Sequence, residues 1–209
     1  MKITYLGHSC FKLEYNGFTL VIDPYKNGKV PGLADLNESA DVVLCSHDHD
    51  DHNAAQLISL TGREDTPFDV SVIKTYHDDM RGRKRGINKI HSITAGGYRL
   101  VHMGDIGCGL TLSQKKALCN PDVLMVPIGG YYTVNAHQAL QLVNDIKPNM
   151  VIPMHYRYDN VGFEEIDTAE NFLSEFNKSD IYFTGSDYVL NGNKTFFVAV
   201  MSPKYKING

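Results

Sequence analysis

Short apolar runs, many of them alternating with polar positions, dominate this chain of 209 residues and predict a protein rich in β-strands. Residues 10–15 alternate as a half-buried strand does, and Asn16-Gly17 then predicts a tight hairpin turn into the next strand. The strands predicted in this way span residues 3–6, 10–15, 18–22, 41–44, 70–74, 87–93, 98–103, 123–126, 150–152, 181–184, 188–190 and 195–200.

Helical spacing is clearest at residues 135–146, where the residues on the apolar side are Ala139, Leu140, Leu142, Val143 and Ile146. Shorter helices are predicted at residues 54–60, 113–119 and 168–176, the first with Asp51 or Asn53 as its N-cap. Asn191-Gly192 predicts a hairpin between the last two strands. Strands followed by strand–helix alternation, twice over and without a linker, predict an α/β fold with mixed sheets in one domain of residues 1–209.

The composition changes this picture little. The chain is 43% hydrophobic and 21% charged, as ordinary globular proteins are, and its net charge of −4 gives no overall attraction to nucleic acid or anionic membranes. We find no signal peptide and no apolar run long enough to span a membrane. The cysteines lack paired C-x-x-C spacing, which predicts reduced thiols and a cytoplasmic location.

The stretch from Cys45 to Asn53 does not follow the alternation of apolar and polar positions that predicts strands elsewhere in the chain. It follows the apolar run Val42-Val43-Leu44 and contains H-x-H-x-D-H, formed by His47, His49, Asp51 and His52. Imidazoles and carboxylates crowded at the end of a buried strand are costly unless a divalent metal compensates them. The alternative is a solvated acidic loop with incidental histidines, but chance would give the pattern in only roughly one such chain in a thousand.

H-x-H-x-D-H is the hallmark of the metallo-β-lactamase superfamily, which this chain resembles. The resemblance implies a four-layer αβ/βα sandwich with two mixed sheets and outer helices. It also implies downstream ligands, and His77, Asp105 and His155 each follow a predicted strand or its turn. By resemblance, one metal ion is held by His47, His49 and His77, the second by Asp51, His52 and His155, with Asp105 bridging them.

Shorter motifs resemble one branch, the compact metal-dependent hydrolases related to ascorbate-6-phosphate lactonase. These motifs are Gly7-His8-Ser9, Asp23-Pro24, His77-Asp78, Gly82-x-x-Arg85-Gly86-x-Asn88, His102-x-Gly104-Asp105, Pro127-x-Gly129-Gly130 and Pro153-Met154-His155-Tyr156. The resemblance covers almost the whole chain and is specific for fold and metal site, but not for substrate. It makes His8, Asp23, Arg85 and Asn88 candidates to support the ligands or to contact substrate.

Each of these candidates has a structural alternative. Asp23 could hold the far nitrogen of a ligand histidine or be a turn residue before Pro24, and His8 could face the site or satisfy a turn. His102 is predicted to point away from the ligands. His91 and His137 are interpreted as structural, and Tyr131-Tyr132 either lines the mouth of the pocket or packs elsewhere.

The predicted chemistry follows from the ligand set. A nitrogen-rich site for two bridged cations suits zinc first and manganese or iron second. Such ions lower the pKa of bound water until it is a hydroxide nucleophile at neutral pH, and Asp51 is placed to orient that water and accept its proton. The formal balance of two ions, two carboxylates and one hydroxide is about one positive charge, which favours an anionic substrate.

We therefore expect a binuclear metal-dependent hydrolase of a small anionic ester, lactone or phosphodiester. Two alternatives stay open, an RNA or cyclic-nucleotide phosphodiesterase and a non-catalytic metal-dependent sensor. No large nucleic-acid surface is evident in the sequence, no membrane partner is expected, and a homo-oligomer is left open. In the basic run 81–86, Arg81, Arg83 and Lys84 are interpreted as solvated, whereas Arg85 is predicted to bind a carboxylate or phosphate.

Overall fold

The computed structural model describes residues 1–207, which contain fourteen strands and three α-helices. The strands are β1 (Lys2–Gly7), β2 (Cys10–Tyr15), β3 (Phe18–Ile22), β4 (Ser39–Ala40), β5 (Val42–Leu44), β6 (Ser59–Leu60), β7 (Asp69–Tyr76), β8 (Ile87–Ala95), β9 (Tyr98–His102), β10 (Val123–Pro127), β11 (Met150–Met154), β12 (Ile181–Thr184), β13 (Asp187–Val189) and β14 (Phe197–Met201). The helices are α1 (Leu112–Leu118), α2 (Ala136–Ile146) and α3 (Glu170–Leu173), with 3₁₀-helices at Ala55–Leu57 and Lys178–Asp180.

Most strands belong to two mixed sheets. The five-stranded sheet has the order β13-β1-β2-β3-β5 and is antiparallel except where β5 joins β3. The seven-stranded sheet has the order β12-β14-β11-β10-β9-β8-β7, with parallel pairing from β12 to β9 and antiparallel pairing at β8 and β7. The short strands β4 and β6 pair separately. The predicted α/β fold with two mixed sheets is confirmed.

The central strands of the larger sheet are buried on both faces. In β10, Val123 and Met125 belong to the core between the sheets, whereas Leu124 and Val126 pack in the cluster that contains the apolar side of α2. Because these strands are buried on both faces, their sequences are continuous apolar runs rather than alternating apolar and polar residues. The predicted apolar side of α2 is confirmed at Ala139, Leu142, Val143 and Ile146, which are buried, whereas Leu140 is only half-buried.

The outer face of the smaller sheet is covered differently. Leu6 and Val21 pack there against Val30, Leu33 and Leu36, which lie in the irregular segment after β3. The helices α1–α3 contribute instead to the cluster on the outer side of the larger sheet. No helix within residues 1–207 is long and apolar enough to cross a membrane.

Three local predictions were wrong. The helix expected at residues 54–60 is a 3₁₀-helix followed by β6, because the chain becomes extended at Ile58, whose side chain is buried beneath the smaller sheet. Neither Asp51 nor Asn53 caps it; Asn53 donates a hydrogen bond to Asp48, and Asp51 contacts His8. Of the helix expected at residues 168–176, only α3 is formed, and no side chain caps its N-terminus.

The third error concerns Asn191-Gly192. The strands before and after it do not form a hairpin, because β13 pairs with β1 and β14 lies between β12 and β11 in the other sheet. Tyr188 and Phe197 face each other across this connection, with ring centroids 5.9 Å apart. Tyr188 therefore packs against Phe197 between the sheets, whereas a hairpin would have placed the two strands side by side in one sheet.

Candidate metal centre

The predicted ligands follow the carboxyl ends of four strands. His47, His49, Asp51 and His52 come after β5, His77 after β7, Asp105 after β9 and His155 after β11. The pairing directions put the carboxyl ends of β7, β9 and β11 at one edge of the larger sheet. The loop after β5 meets them at that edge, so residues far apart in sequence share one site.

Asp105 is the point on which the imidazoles converge. Its Oδ2 lies 3.0 Å from Nε2 of His155, 3.2 Å from Nε2 of His52, 3.4 Å from Nε2 of His77 and 3.9 Å from Nε2 of His47. The carboxylate is only 2% exposed. A single buried oxygen among four imidazole nitrogens is the arrangement expected of a bridging ligand.

The structure brings together both sets of residues predicted to hold metal. Ligand atoms of His47, His49 and His77 lie within 4.8 Å of one another and form the outer group, in which His49 is exposed. Those of Asp51, His52 and His155 lie equally close together and form the inner group, joined by His8. Asp105 makes a third such set with His47 and His52.

Unpaired polar atoms at the centre test whether these residues fit a cation. Within residues 1–207, Nε2 of His47, Nε2 of His52 and Oδ1 of Asp105 are buried without a hydrogen-bond partner. Buried polar atoms left unsatisfied cost free energy, typically about 1–3 kcal/mol each. Neutral imidazole nitrogens and carboxylate oxygens are ligands of divalent transition metals, so the donor set fits a metal centre.

The protonation states agree with that role. Burial lowers the pKa of His47 to about 3 despite the attraction of Asp105, so its imidazole is neutral near pH 7. Burial opposes the charged form of Asp105, but its interactions with His155 and His52 outweigh burial and hold its pKa well below the usual range. Burial likewise opposes protonation of His52, but Asp105 and Asp51 raise its pKa well above the usual value. A cation binding there must displace a proton from His52.

A cavity of about 350 Å³ opens over this cluster. Its lining comprises His49, Asp51, His77, Arg85, Asp105, Tyr132, His155 and Phe163. The guanidinium of Arg85 lies 5.5 Å from the ring centroid of Tyr132, and within residues 1–207 it makes no ion pair with a carboxylate. A small polar ligand would therefore meet the metal-binding side chains on one side and an available cation on the other.

Comparison with known proteins places the chain in a family. A family model described as the β-lactamase superfamily domain matches residues 2–155, most of the chain. The chain belongs to this superfamily. A candidate Zn-dependent hydrolase of the metallo-β-lactamase superfamily from Thermotoga maritima is 30% identical, with a TM-score of 0.77 over 96% of this chain and 97% of the other.

Several relatives of this protein carry the name UPF0173 metal-dependent hydrolase. The relative from Staphylothermus marinus is 29% identical over 74% of this chain and 82% of its own length. The relative from Hyperthermus butylicus is 23% identical over 83% and 91%, respectively. At the level of the family, these matches confirm the expectation of a metal-dependent hydrolase. The closer resemblance to ascorbate-6-phosphate lactonase stays a prediction.

Asn88, one of the residues predicted to support the metal ligands, lies behind the candidate ligand Asp105 in this superfamily member. The Oδ1 of Asn88 accepts a hydrogen bond from the backbone N–H of Asp105 at 2.9 Å, while its Nδ2 donates to the carbonyl of Met103 at 2.8 Å. Asn88 is fully buried, so it positions Asp105 rather than contacting substrate. Gly104 is required here, because a Cβ would lie 2.3 Å from Oδ1 of Asn88 and 2.6 Å from Cβ of Ser46.

His8 supports the inner group. Its Nε2 lies 3.1 Å from Oδ2 of Asp51, and its ring centroid lies 4.1 Å from that of His155. Its carbonyl accepts hydrogen bonds from the N–H of His155 and the hydroxyl of Tyr5, both at 2.9 Å. His8, Asp23 and His155 all have positive φ, at 58°, 51° and 51°. Such backbone strain at strand ends persists only where surrounding contacts hold it, and it is common at functional sites.

The remaining histidines behave as the sequence predicted. His102 points away from the cluster, with Nε2 donating to the carbonyl of Ser9 at 2.9 Å and Nδ1 accepting from the N–H of Gly104 at 3.2 Å. His91 is buried within β8 and His137 lies on the exposed side of α2. Neither contributes to the sets of residues that could hold a metal.

Sequence reasoning missed Phe163 and undervalued Tyr132 and Asp78. Phe163 lies in an irregular segment without a periodic signal, whereas Tyr132 could have been found because it follows the end of β10, as the ligands follow their strands. The carboxylate of Asp78 accepts hydrogen bonds from the N–H groups of Met80, Gly82, Lys84 and Arg85. It thereby organises the basic loop that carries Arg85 to the cavity.

Proposed function

We propose that this superfamily member is a binuclear metal-dependent hydrolase of a small anionic ester, lactone or phosphodiester. The observation that carries the proposal is the convergence of two histidine groups on the buried carboxylate of Asp105, beneath a cavity of about 350 Å³. His47, His49 and His77 would hold one divalent ion, and Asp51, His52 and His155 the second, with Asp105 shared between them.

Zinc is the first choice of metal, and manganese or iron the second, because imidazole nitrogens predominate among the donors. When bound, such ions lower the pKa of water and polarise a carbonyl or phosphoryl oxygen. Asp51 lines the cavity, and one oxygen of its carboxylate is hydrogen-bonded to the ring of His8. Burial opposes its ionisation, but His52 and His8 outweigh burial and hold its pKa well below the usual range, so Asp51 is an ionised acceptor at neutral pH. We assign it the orientation of the attacking water and the acceptance of its proton.

Arg85 is assigned to binding the negative group of the substrate. Its guanidinium lines the cavity and has no carboxylate partner within residues 1–207. A planar guanidinium can bind a carboxylate or phosphate through two parallel hydrogen bonds, which fixes orientation as well as charge. Tyr132 and Phe163 form an aromatic wall beside it, with ring centroids 5.8 Å apart, and reduce the access of bulk water.

Two further expectations are part of the proposal. We propose that residues 1–209 form one hydrolase domain and that it acts in the cytoplasm, since its four cysteines are free thiols. The cavity is sized for a small molecule, which favours a small substrate over a long nucleic acid.

The test combines metal analysis with a substrate screen. Protein purified without chelator is expected to contain about two transition-metal ions per chain. Metal-loaded protein is then assayed on matched esters, lactones and phosphodiesters, including RNA and cyclic nucleotides. His49→Ala, which removes a ligand that lines the cavity, is expected to abolish turnover, whereas the exposed His137→Ala is expected to retain it.

Several outcomes would contradict the proposal. Absence of stoichiometric metal, or full activity of His49→Ala, would remove the metal centre from the function. Salt-dependent cleavage of RNA in preference to small substrates would favour the nuclease alternative. Ligand binding without turnover across all substrate classes would favour a sensor.

A further inference from the structure

Asp23 occupies an unusual position behind the metal centre. It follows the carboxyl end of β3, is fully buried and has a φ of 51°. It is absent from the cavity lining, so it does not contact substrate. Its Oδ2 lies 2.8 Å from Nδ1 of His52 and accepts a second hydrogen bond from Oγ of Ser46 at 2.6 Å.

Ser46 extends this contact to the outer group. Its Oγ lies 2.9 Å from Nδ1 of His47, and its backbone N–H donates to Oδ1 of Asp23 at 2.6 Å. One carboxylate is thus connected to a histidine of each group, directly to His52 and through one hydroxyl to His47.

The direction of these hydrogen bonds follows from what each group can donate. An ionised carboxylate only accepts, so Nδ1 of His52 must carry the proton. The single hydroxyl proton of Ser46 is directed to Asp23, and its oxygen must therefore accept from Nδ1 of His47. Once a cation has displaced the second proton of His52, both imidazoles present Nε2 as a lone pair, and the Nε2 atoms of both are buried beside Asp105.

The surroundings keep Ser46 in this position. Ser46 is completely buried, and its Cβ occupies the space where a side chain on Gly104 would lie. The backbone N–H of Lys89 also donates to the carbonyl of Ser46 at 3.0 Å. Strands from both sheets therefore fix the hydroxyl between Asp23 and His47.

We propose that Asp23 is a shared positioning residue, which fixes the ring orientation and tautomer of His52 directly and of His47 through Ser46, so that it sets the affinity of both metal ions. The inference rests on the metal-binding part of the proposed function. Hydrogen-bond partners behind metal-binding histidines typically contribute about 10- to 100-fold in metal affinity. Asp23 is expected to exert this effect on both groups.

The Asp23→Asn substitution breaks the arrangement without changing its size. An amide has one acceptor oxygen and one donor nitrogen, so it cannot accept from the Ser46 N–H, the Ser46 hydroxyl and His52 together. Ser46→Ala removes only the connection to His47. Ser9→Ala is the matched control, because the Ser9 side chain is a buried hydroxyl without a partner within residues 1–207.

Zinc titration of metal-depleted protein against a chromophoric chelator measures both dissociation constants. Asp23→Asn is expected to raise both by about 10- to 100-fold, Ser46→Ala to raise one by about that factor, and Ser9→Ala to change neither. In a His49→Ala background, where the outer group is disrupted, Ser46→Ala should have no further effect on the remaining ion. Asp23→Asn should still weaken that ion.

A spectroscopic measurement gives an independent readout. Imidazole ¹H–¹⁵N spectra of the zinc-loaded protein are expected to show His47 and His52 as Nδ1–H tautomers, and Ser46→Ala to perturb His47 alone. The inference is overturned if Ser46→Ala weakens neither ion, if it weakens both equally, or if either imidazole carries its proton on Nε2. If Asp23→Asn does not fold, the Ser46 and Ser9 variants and the spectra still decide. Failure of the unmodified protein to bind two zinc ions would instead contradict the proposed function.

Discussion

His102, within β9, and the histidines that follow β5 are buried to a similar degree but are paired differently. His102, in β9, is fully buried and has a partner for each ring nitrogen. His47 and His52, beyond the end of β5, are 7% and 0% exposed, yet the Nε2 atom of each is without a hydrogen bond within residues 1–207. Burial alone therefore does not mark a metal ligand, whereas unpaired nitrogens that converge on one carboxylate do.

The difference has a topological cause. His102 lies inside a strand, and backbone groups of Ser9 and Gly104 supply its hydrogen bonds. A histidine after a strand lies at an edge where several loops meet, and there the chain can direct donors of different strands toward one point. Asp105 is that point, and substitution of Asp105 tests the comparison most directly.

Asp105→Asn is expected to have the largest effect. It removes the charge that both histidine groups share, so the protein should lose metal and about a thousandfold or more of its hydrolytic activity. Metal content and turnover measure both effects. Asp122→Asn, at the opposite edge of the sheet where the carboxylate accepts from the N–H of Arg99, is the control. Full metal content in Asp105→Asn would show that convergence on this carboxylate is not what holds the ions.

Arg85→Ala is expected to reduce use of an anionic substrate by about 10- to 100-fold, because a charge-assisted contact contributes about 1.5–3 kcal/mol. A neutral ester analogue should be nearly unaffected when kcat/KM is compared for the two substrates. Arg83→Ala, an exposed cation of the same loop, is the control. An equal loss on both substrates would mean that Arg85 supports the loop instead.

His102→Leu tests the other side of the comparison. It leaves the carbonyl of Ser9 and the N–H of Gly104 without their partner, and the free energy of unfolding should fall by about 1–3 kcal/mol. Urea unfolding of the metal-depleted protein measures this loss, while the metal content of the folded protein should stay unchanged. Loss of metal from this variant would contradict the separation of the two kinds of histidine.

His91→Gln has the smallest expected effect, visible only as a change with pH. Burial lowers the pKa of His91 to about 4, below its usual value of 6.5. The unfolded chain therefore binds more protons than the folded one between pH 6.5 and 4, and His91 costs stability as the pH falls through that range. Relative to the variant, the native protein should lose at most about 1.4 kcal/mol per pH unit. Urea unfolding at pH 7 and pH 5 measures it, and parallel pH profiles would contradict the argument.

Much of the strand pattern and the ligand types were predictable because they depend on local signals. Buried strands need apolar side chains, and a polar cluster directly after one, as from Cys45 to Asn53, must lie at a strand end. His77, Asp105 and His155 were singled out by the resemblance to the superfamily, because a lone histidine or Gly-Asp after a strand is a weak signal by itself. The errors at residues 54–60 and at Asn191-Gly192 arose where tertiary packing outweighed a short local signal, the first beneath the smaller sheet and the second between the sheets.

The sequence by itself determined which side chains are available for metal chemistry and that they follow strands, since both are properties of short stretches of chain. Only the tertiary structure decided that four imidazoles meet at Asp105, that Phe163 joins the cavity and that Asp23 is connected to histidines of both groups, directly to His52 and through Ser46 to His47. The physical reason is that these relations depend on how two sheets stack. Stacking is set by the whole core, and no local pattern of hydrophobic and polar residues specifies the distance between two loops that it brings together.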